Sequence, residues 1–135
     1  KGEITRGKIF ELMPFENDLV VVTITKNKYH SFFKYIHKSG GQPISGNISI
    51  KILKDELVIE RKDSPESSEE DYNMYKILTS DYLANGGDNM KFFLDPIKIE
   101  PVGIKLRDAI IKYCISENEK DNQLSNKLDG RITFE

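Results

Sequence analysis

The residues this sequence holds in short supply exclude much chemistry. A single cysteine, Cys114, rules out an intrachain disulfide and leaves the redox compartment open. Histidine occurs only at His30 and His37. Seven positions apart on a helical stretch, the two stand about 10.5 Å apart along the axis, too far to share one metal ion. Asp-x-His, Gly-Asn-His and His-x-x-x-His patterns are all missing, so a metal site has no convincing ligand set. Neither a Gly-x-Ser-x-Gly nucleophile turn nor a Gly-x-x-x-x-Gly-Lys phosphate loop occurs. Cys114 falls beside an apolar helical stripe and reads as a small buried hydrophobe. Carboxylates without a burial pattern make no case for acid–base catalysis. By itself the chain does not read as an enzyme.

A basic excess is missing too. Lys and Arg number 20 against 22 Asp and Glu, a formal net charge of −2. Basic residues are scattered rather than clustered, so there is no electrostatic case for a nucleic-acid polymer or an anionic membrane. No apolar run approaches the roughly 18–20 residues that span a bilayer, and no membrane contact is evident. No secretory signal is visible either: Lys1-Gly2-Glu3 leads straight into structured-looking sequence, an opening that predicts a fragment or processed piece. What remains is an ordinary mix, 135 residues with 38% hydrophobic and 31% charged, enough for one domain with a core.

Periodicity supplies the elements. Thr5 predicts an N-cap for a short helix through Leu12, closed by Pro14. DLVVVTIT at 18–25 is β-branched and almost continuously apolar, which predicts a buried strand. Tyr29, Phe32, Phe33 and Ile36 then mark one face of a helix over 27–38, ended by Gly40-Gly41. ISIKIL (48–53) and ELVIER (56–61) alternate as a hairpin joined by Lys54-Asp55, with one wet face. KDSPESSEED (62–71) reads as a solvated acidic loop. MYKILTS (74–80) is another strand, followed by MKFFLD, a short strand IKIEP and a helix over about 103–116. In that helix Leu106, Ala109, Ile110 and Tyr113 form a core stripe. RITF (131–134) closes the chain as a strand. The fold class is α+β: a single domain over 1–135 with a mixed β-sheet and about three helices.

DYLANGGDNM (81–90) admits two readings. Asn85-Gly86-Gly87 is a common tight-turn signal, because glycine visits positive φ at little cost. The same glycines also let backbone approach a ligand, beside the flat face of Tyr82 and the hydrogen-bond-accepting carboxylate of Asp88.

ELMPFENDLVVV (11–22) and YKILTSDYLANGGD (75–88) together resemble the C-terminal domain of the 5′-nucleotidase family, which includes ecto-5′-nucleotidases and periplasmic UDP-sugar hydrolases. ISG (44–46), LRDAIIKY (106–113) and LDGRITF (128–134) extend the resemblance over almost the whole chain. The family's turn continues Gly-Asp-Gly plus an aromatic, where this chain has Asn89 and Met90.

The resemblance implies a substrate-binding domain for the base and ribose of a nucleotide. A separate N-terminal metallophosphatase domain with two divalent metal ions would perform the hydrolysis; its ligands, and an Asn and Arg expected just before Lys1, are not in this chain. Phe15 and Tyr82 would sandwich the base, Asp88 would hold ribose hydroxyls, and Asn85, Gly86 and Gly87 would shape the turn that presents them. A periplasmic or cell-surface setting is implied on the same ground. The plainer alternatives stay open: Phe15 as a core anchor, Tyr82 as a surface ring at a strand end, Asp88 as a turn cap. A stand-alone nucleoside-binding module without catalysis is the competing function.

Overall fold

The computed structural model describes residues 2–53, 56–61, 73–125 and 127–134. In chain order the elements are α1 (Arg6–Leu12), β1 (Asp18–Thr25), α2 (Lys26–Lys38), β2 (Ile48–Leu53), β3 (Glu56–Arg61), β4 (Met74–Ser80), α3 (Asp81–Ala84), β5 (Lys98–Lys105), α4 (Leu106–Glu119) and β6 (Ile132–Phe134). This is a small α+β fold, but its strands form two three-stranded sheets, β4-β1-β5 and β3-β2-β6, rather than one. Among the described residues there are four α-helices, where the sequence suggested about three. The additional one is α3, a single turn inside the stretch that the sequence presents as a glycine turn. Lys54-Asp55 and the acidic stretch 62–71 lie outside the described residues.

The chain divides into two compact units. The first comprises Lys1–Thr23 and Lys76–Asn126. Here the Thr5 hydroxyl caps α1 by accepting from Lys8 N–H at 3.3 Å. β1 is the middle strand of its sheet, which accounts for its near-continuous apolar run: Leu19, Val20 and Val22 are all buried. β5 pairs antiparallel to it, with Val21 opposite Glu100 and Asp18 opposite Lys105. That pairing corrects the sequence reading, which starts the last helix near 103. Gly103 sits at φ +79 within the strand, and ladder pairing holds the chain extended to Lys105.

The stripe expected on α4 is also corrected. Leu106, Ala109 and Ile110 are half-buried and Tyr113 is 58% exposed. Cys114 is half-buried rather than buried. The residue of α4 that is buried is Arg107, because a loop returns to neutralise its charge.

The second unit comprises Ile24–Tyr75 and Lys127–Glu135. Tyr29, Phe33 and Ile36 of α2 are buried, as their spacing predicts. Tyr29 stacks on Tyr75 with centroids 3.9 Å apart and meets Phe33 edge-on at 4.7 Å. The helix ends in a Schellman pattern: Gly41 N–H donates to Ile36 O at 3.0 Å and Gly40 N–H to His37 O at 3.2 Å. β2 pairs antiparallel with β3 and parallel with β6, with Ile50 opposite Ile59 on the buried side. The other face is wet, as alternation predicts, and carries the Lys51–Glu60 ion pair at 3.0 Å. Arg131 ties the closing segment back by donating to Ile44 O at 2.6 Å and to the Asp129 carboxylate.

Candidate functional site

β4 delivers the chain into α3, and a series of local bonds fixes the backbone beyond it. The buried Ser80 hydroxyl accepts from Leu83 N–H at 3.2 Å, capping the single helical turn that carries Tyr82. Asn85 closes the turn, its N–H and its Nδ2 both donating to Asp81 O, at 3.0 and 2.8 Å. The backbone then crosses the left-handed region three times in four residues, at Gly86 (φ +84), Asp88 (φ +50) and Asn89 (φ +62). Asp and Asn are, after glycine, the residues that enter this region most readily.

This winding seats Tyr82. A Cβ built on Gly87 would lie 2.5 Å from Cε1 of Tyr82 and 2.6 Å from Cζ, so the ring occupies the space that only a glycine leaves. The phenol then donates to Asp88 Oδ1 at 3.0 Å. Thus the ring rests against Gly87 while its hydroxyl is held by Asp88, and the side chain stays 50% exposed. Tyr82, Asn85, Gly86, Gly87 and Asp88 therefore form one constellation.

Phe15 lies on a different segment, the loop between α1 and β1, and is 70% exposed. That exposure removes the reading of Phe15 as a core anchor. Among the described residues no ring contact joins it to Tyr82. What links the two segments is Asp81: its Oδ1 accepts from Asp18 N–H at 3.2 Å and from Tyr82 N–H at 2.8 Å. The strand leaving the Phe15 loop is thereby fastened to the turn carrying Tyr82.

The base of the Phe15 loop is fastened by charge. Arg107, only 8% exposed, donates to Met13 O at 3.4 Å and to Glu16 Oε1 at 3.3 Å. Its guanidinium lies 3.9 Å from the centroid of the Phe10 ring. Lys105 adds a second contact to Glu16 at 3.2 Å. Hydrogen bonding from Lys105, reinforced by its charge and by Arg107, holds the Glu16 carboxyl below its usual range. Lys105 is correspondingly raised by its hydrogen bond to Glu16.

Sequence reasoning missed Asp81 and Arg107. Asp81 directly follows a helix-capping Ser80, a position where a carboxylate suits the exposed N–H groups. Arg107 stands one turn before Ile110, at the edge of an apolar stripe, and that placement was the available signal.

The Tyr82 turn offers an exposed aromatic face beside a carboxylate, and Phe15 offers a second exposed ring on a separate loop. Neither offers a metal centre: among the described residues no three His, Cys, Asp or Glu side chains come together. His30 and His37 both lie exposed on α2. No described helix is long and apolar enough to cross a membrane. A shallow cleft of about 980 Å³ lies elsewhere, between residues 2–5 and the second half of α4, and includes neither Phe15 nor any residue of the Tyr82 turn.

In fold the chain resembles a 5′-nucleotidase. The crystal structure of a 5′-nucleotidase precursor from Thermus thermophilus matches 99% of this chain with a TM-score of 0.68 and 17% identity. In sequence the chain is similar to the trifunctional nucleotide phosphoesterase protein YfkN of Bacillus subtilis, 25% identical over 98% of this chain. The resemblance to 5′-nucleotidases read from the sequence is thus borne out by both comparisons. The chain spans 28% of the solved structure's length and 10% of the curated relative's. No family model matches it.

Proposed function

We propose that this chain is the substrate-specificity domain of a 5′-nucleotidase-type phosphohydrolase, gripping the base and ribose of a nucleotide while another domain acts on the phosphate. The observation that carries the reading is the seating of Tyr82: a half-exposed ring backed by Gly87 and hydrogen-bonded through its hydroxyl to Asp88. Phe15 supplies a second exposed face. Stacking on such faces is worth about 1–3 kcal/mol per base and tolerates any base. A carboxylate has room for several hydrogen bonds, so Asp88 can accept from ribose hydroxyls as well as from Tyr82, in charge-assisted bonds. Asn85, Gly86 and Gly87 shape this wall.

Hydrolysis itself, and the two divalent metal ions it would use, belong in this reading to an N-terminal metallophosphatase domain. No residue of this chain is assigned to them. The small share of its relatives that the chain spans supports a division of labour of this kind. Binding energy collected here would position the phosphate ester for attack elsewhere. A periplasmic or cell-surface setting is proposed on the same footing.

The test is an NMR titration of the chain with adenosine and then AMP. Selective shifts at Phe15, Tyr82 and residues 86–88 are expected, and Tyr82→Ala should abolish most of them. The absence of shifts at millimolar ligand, both in this chain and in one extended upstream, would overturn the reading. A parent reading frame without Asp-x-His and Gly-Asn-His motifs would instead favour a stand-alone nucleoside-binding module.

A further inference from the structure

Arg107 poses a problem of energetics. A guanidinium with 9% of its side chain exposed has lost most of its hydration, and its buried Nε has no hydrogen-bond partner among the described residues. Burying a charge is costly unless its partners compensate, and a residue of this kind is weak evidence for stability as such. Its partners, however, are placed tellingly. One terminal nitrogen donates to the carbonyl of Met13 and the other to the carboxylate of Glu16. The two nitrogens of one guanidinium are fixed in a rigid fork. Residues 13 and 16 both meet this one small group, and between them the chain bends at Phe15, forming an arch that exposes Pro14 and Phe15. Phe15 stands 70% exposed at the crest of that arch. Three further contacts hold the feet of the arch: Phe10 packs on the guanidinium, Lys105 pairs with Glu16 at 3.2 Å, and Leu106 N–H donates to Asn17 O at 2.9 Å.

We infer that Arg107 is a positioning residue, holding the Pro14-Phe15 arch open so that the Phe15 ring stands as one wall of the nucleoside site. The inference rests on the proposed nucleoside-binding function for its ligand, but the arch itself is testable without ligand. Lysine cannot replace the fork, because an ammonium is a point charge that does not present two parallel donors.

Arg107→Lys in the full chain is the experiment, with two readouts. Without ligand, amide resonances of residues 13 and 15–17 should shift and their hydrogen exchange should quicken, while amides of β1 and β5 away from the loop stay in place. With adenosine, affinity should fall about 5-fold or more, the lower end of the loss expected for one stacking face. In a Phe15→Ala background the same substitution should cost no further affinity. Unchanged loop amides would overturn the inference. So would equal losses of affinity with and without Phe15, since Arg107 would then act by another route. If Phe15→Ala alone leaves adenosine binding intact, the nucleoside reading of Phe15 fails, and the amide readout still decides the arch. Should Arg107→Lys fail to fold, Glu16→Ala removes one foot of the arch from an exposed position and should move the same amides to a smaller extent.

Discussion

Gly87→Ala separates the seating of Tyr82 from the stability of the fold. The added methyl would lie 2.5, 2.6 and 2.7 Å from Cε1, Cζ and Cδ1 of Tyr82. Ordinary carbon–carbon contact begins near 3.5 Å, so about 1 Å must be yielded. The backbone at Gly87, unlike that at Gly86, is not in the left-handed region, so alanine adds no strain there. The ring gives way, because it is half-exposed and can swing outward. Its hydrogen bond to Asp88 is then lost.

A hydrogen bond to a charged group is worth about 1.5–3 kcal/mol, reduced towards about 1 kcal/mol by the solvent around this pair. Replacing glycine returns about 0.4–1 kcal/mol through the unfolded chain. Stability should therefore change by no more than about 1 kcal/mol, a Tm shift within roughly 2–6 °C for a chain of this size. Nucleoside affinity should fall much further in relative terms, by about 5-fold or more, as one stacking face leaves its place. Thermal melting, the Tyr82 ring resonances and an adenosine titration together check the split. Unmoved ring resonances would refute the reasoning. A loss of several kcal/mol would refute it too, since it would show that the ring cannot yield.

Two further perturbations probe the second unit. Hydrogen bonding from Arg131, aided by backbone N–H donation and its charge, lowers the Asp129 carboxyl to about 2 from 3.8. The unfolded chain thus takes up this proton first as pH falls, so the stabilisation is complete above about pH 4 and is lost towards pH 2; Asp129→Asn should flatten that part of the urea-midpoint profile, and an unchanged slope would contradict the assignment. Phe33, with no exposed surface and an edge-on contact to Tyr29, should cost about 3–5 kcal/mol when cut to alanine, measured by denaturant unfolding.

Local pattern decided a good deal of this molecule. The β-branched run of 18–25 had to be an interior strand, because only burial on both faces accommodates so few polar side chains. The i, i+3, i+4 stripe of Tyr29, Phe32 and Phe33, with Gly40-Gly41 beyond it, defined α2 and its end. The strands at 48–53, 56–61 and 74–80 carry their own alternation. Even the turn at 85–89 was legible, since Asn-Gly-Gly-Asp can enter the left-handed region where other residues resist it.

What the tertiary structure alone decided depends on groups far apart in the chain. Residues 103–105 are strand rather than helix because Asp18 pairs with Lys105, a partner that local propensity cannot see. The clasp of Asp18 N–H by Asp81 spans 63 positions. Arg107, at the edge of a stripe that looks like core, is buried because Met13 and Glu16 come back to satisfy it, and Phe15 is exposed for the same reason. Burial of a charge, and exposure of an aromatic, are decided by which segments return to meet them, and that is a property of the fold rather than of any stretch of sequence.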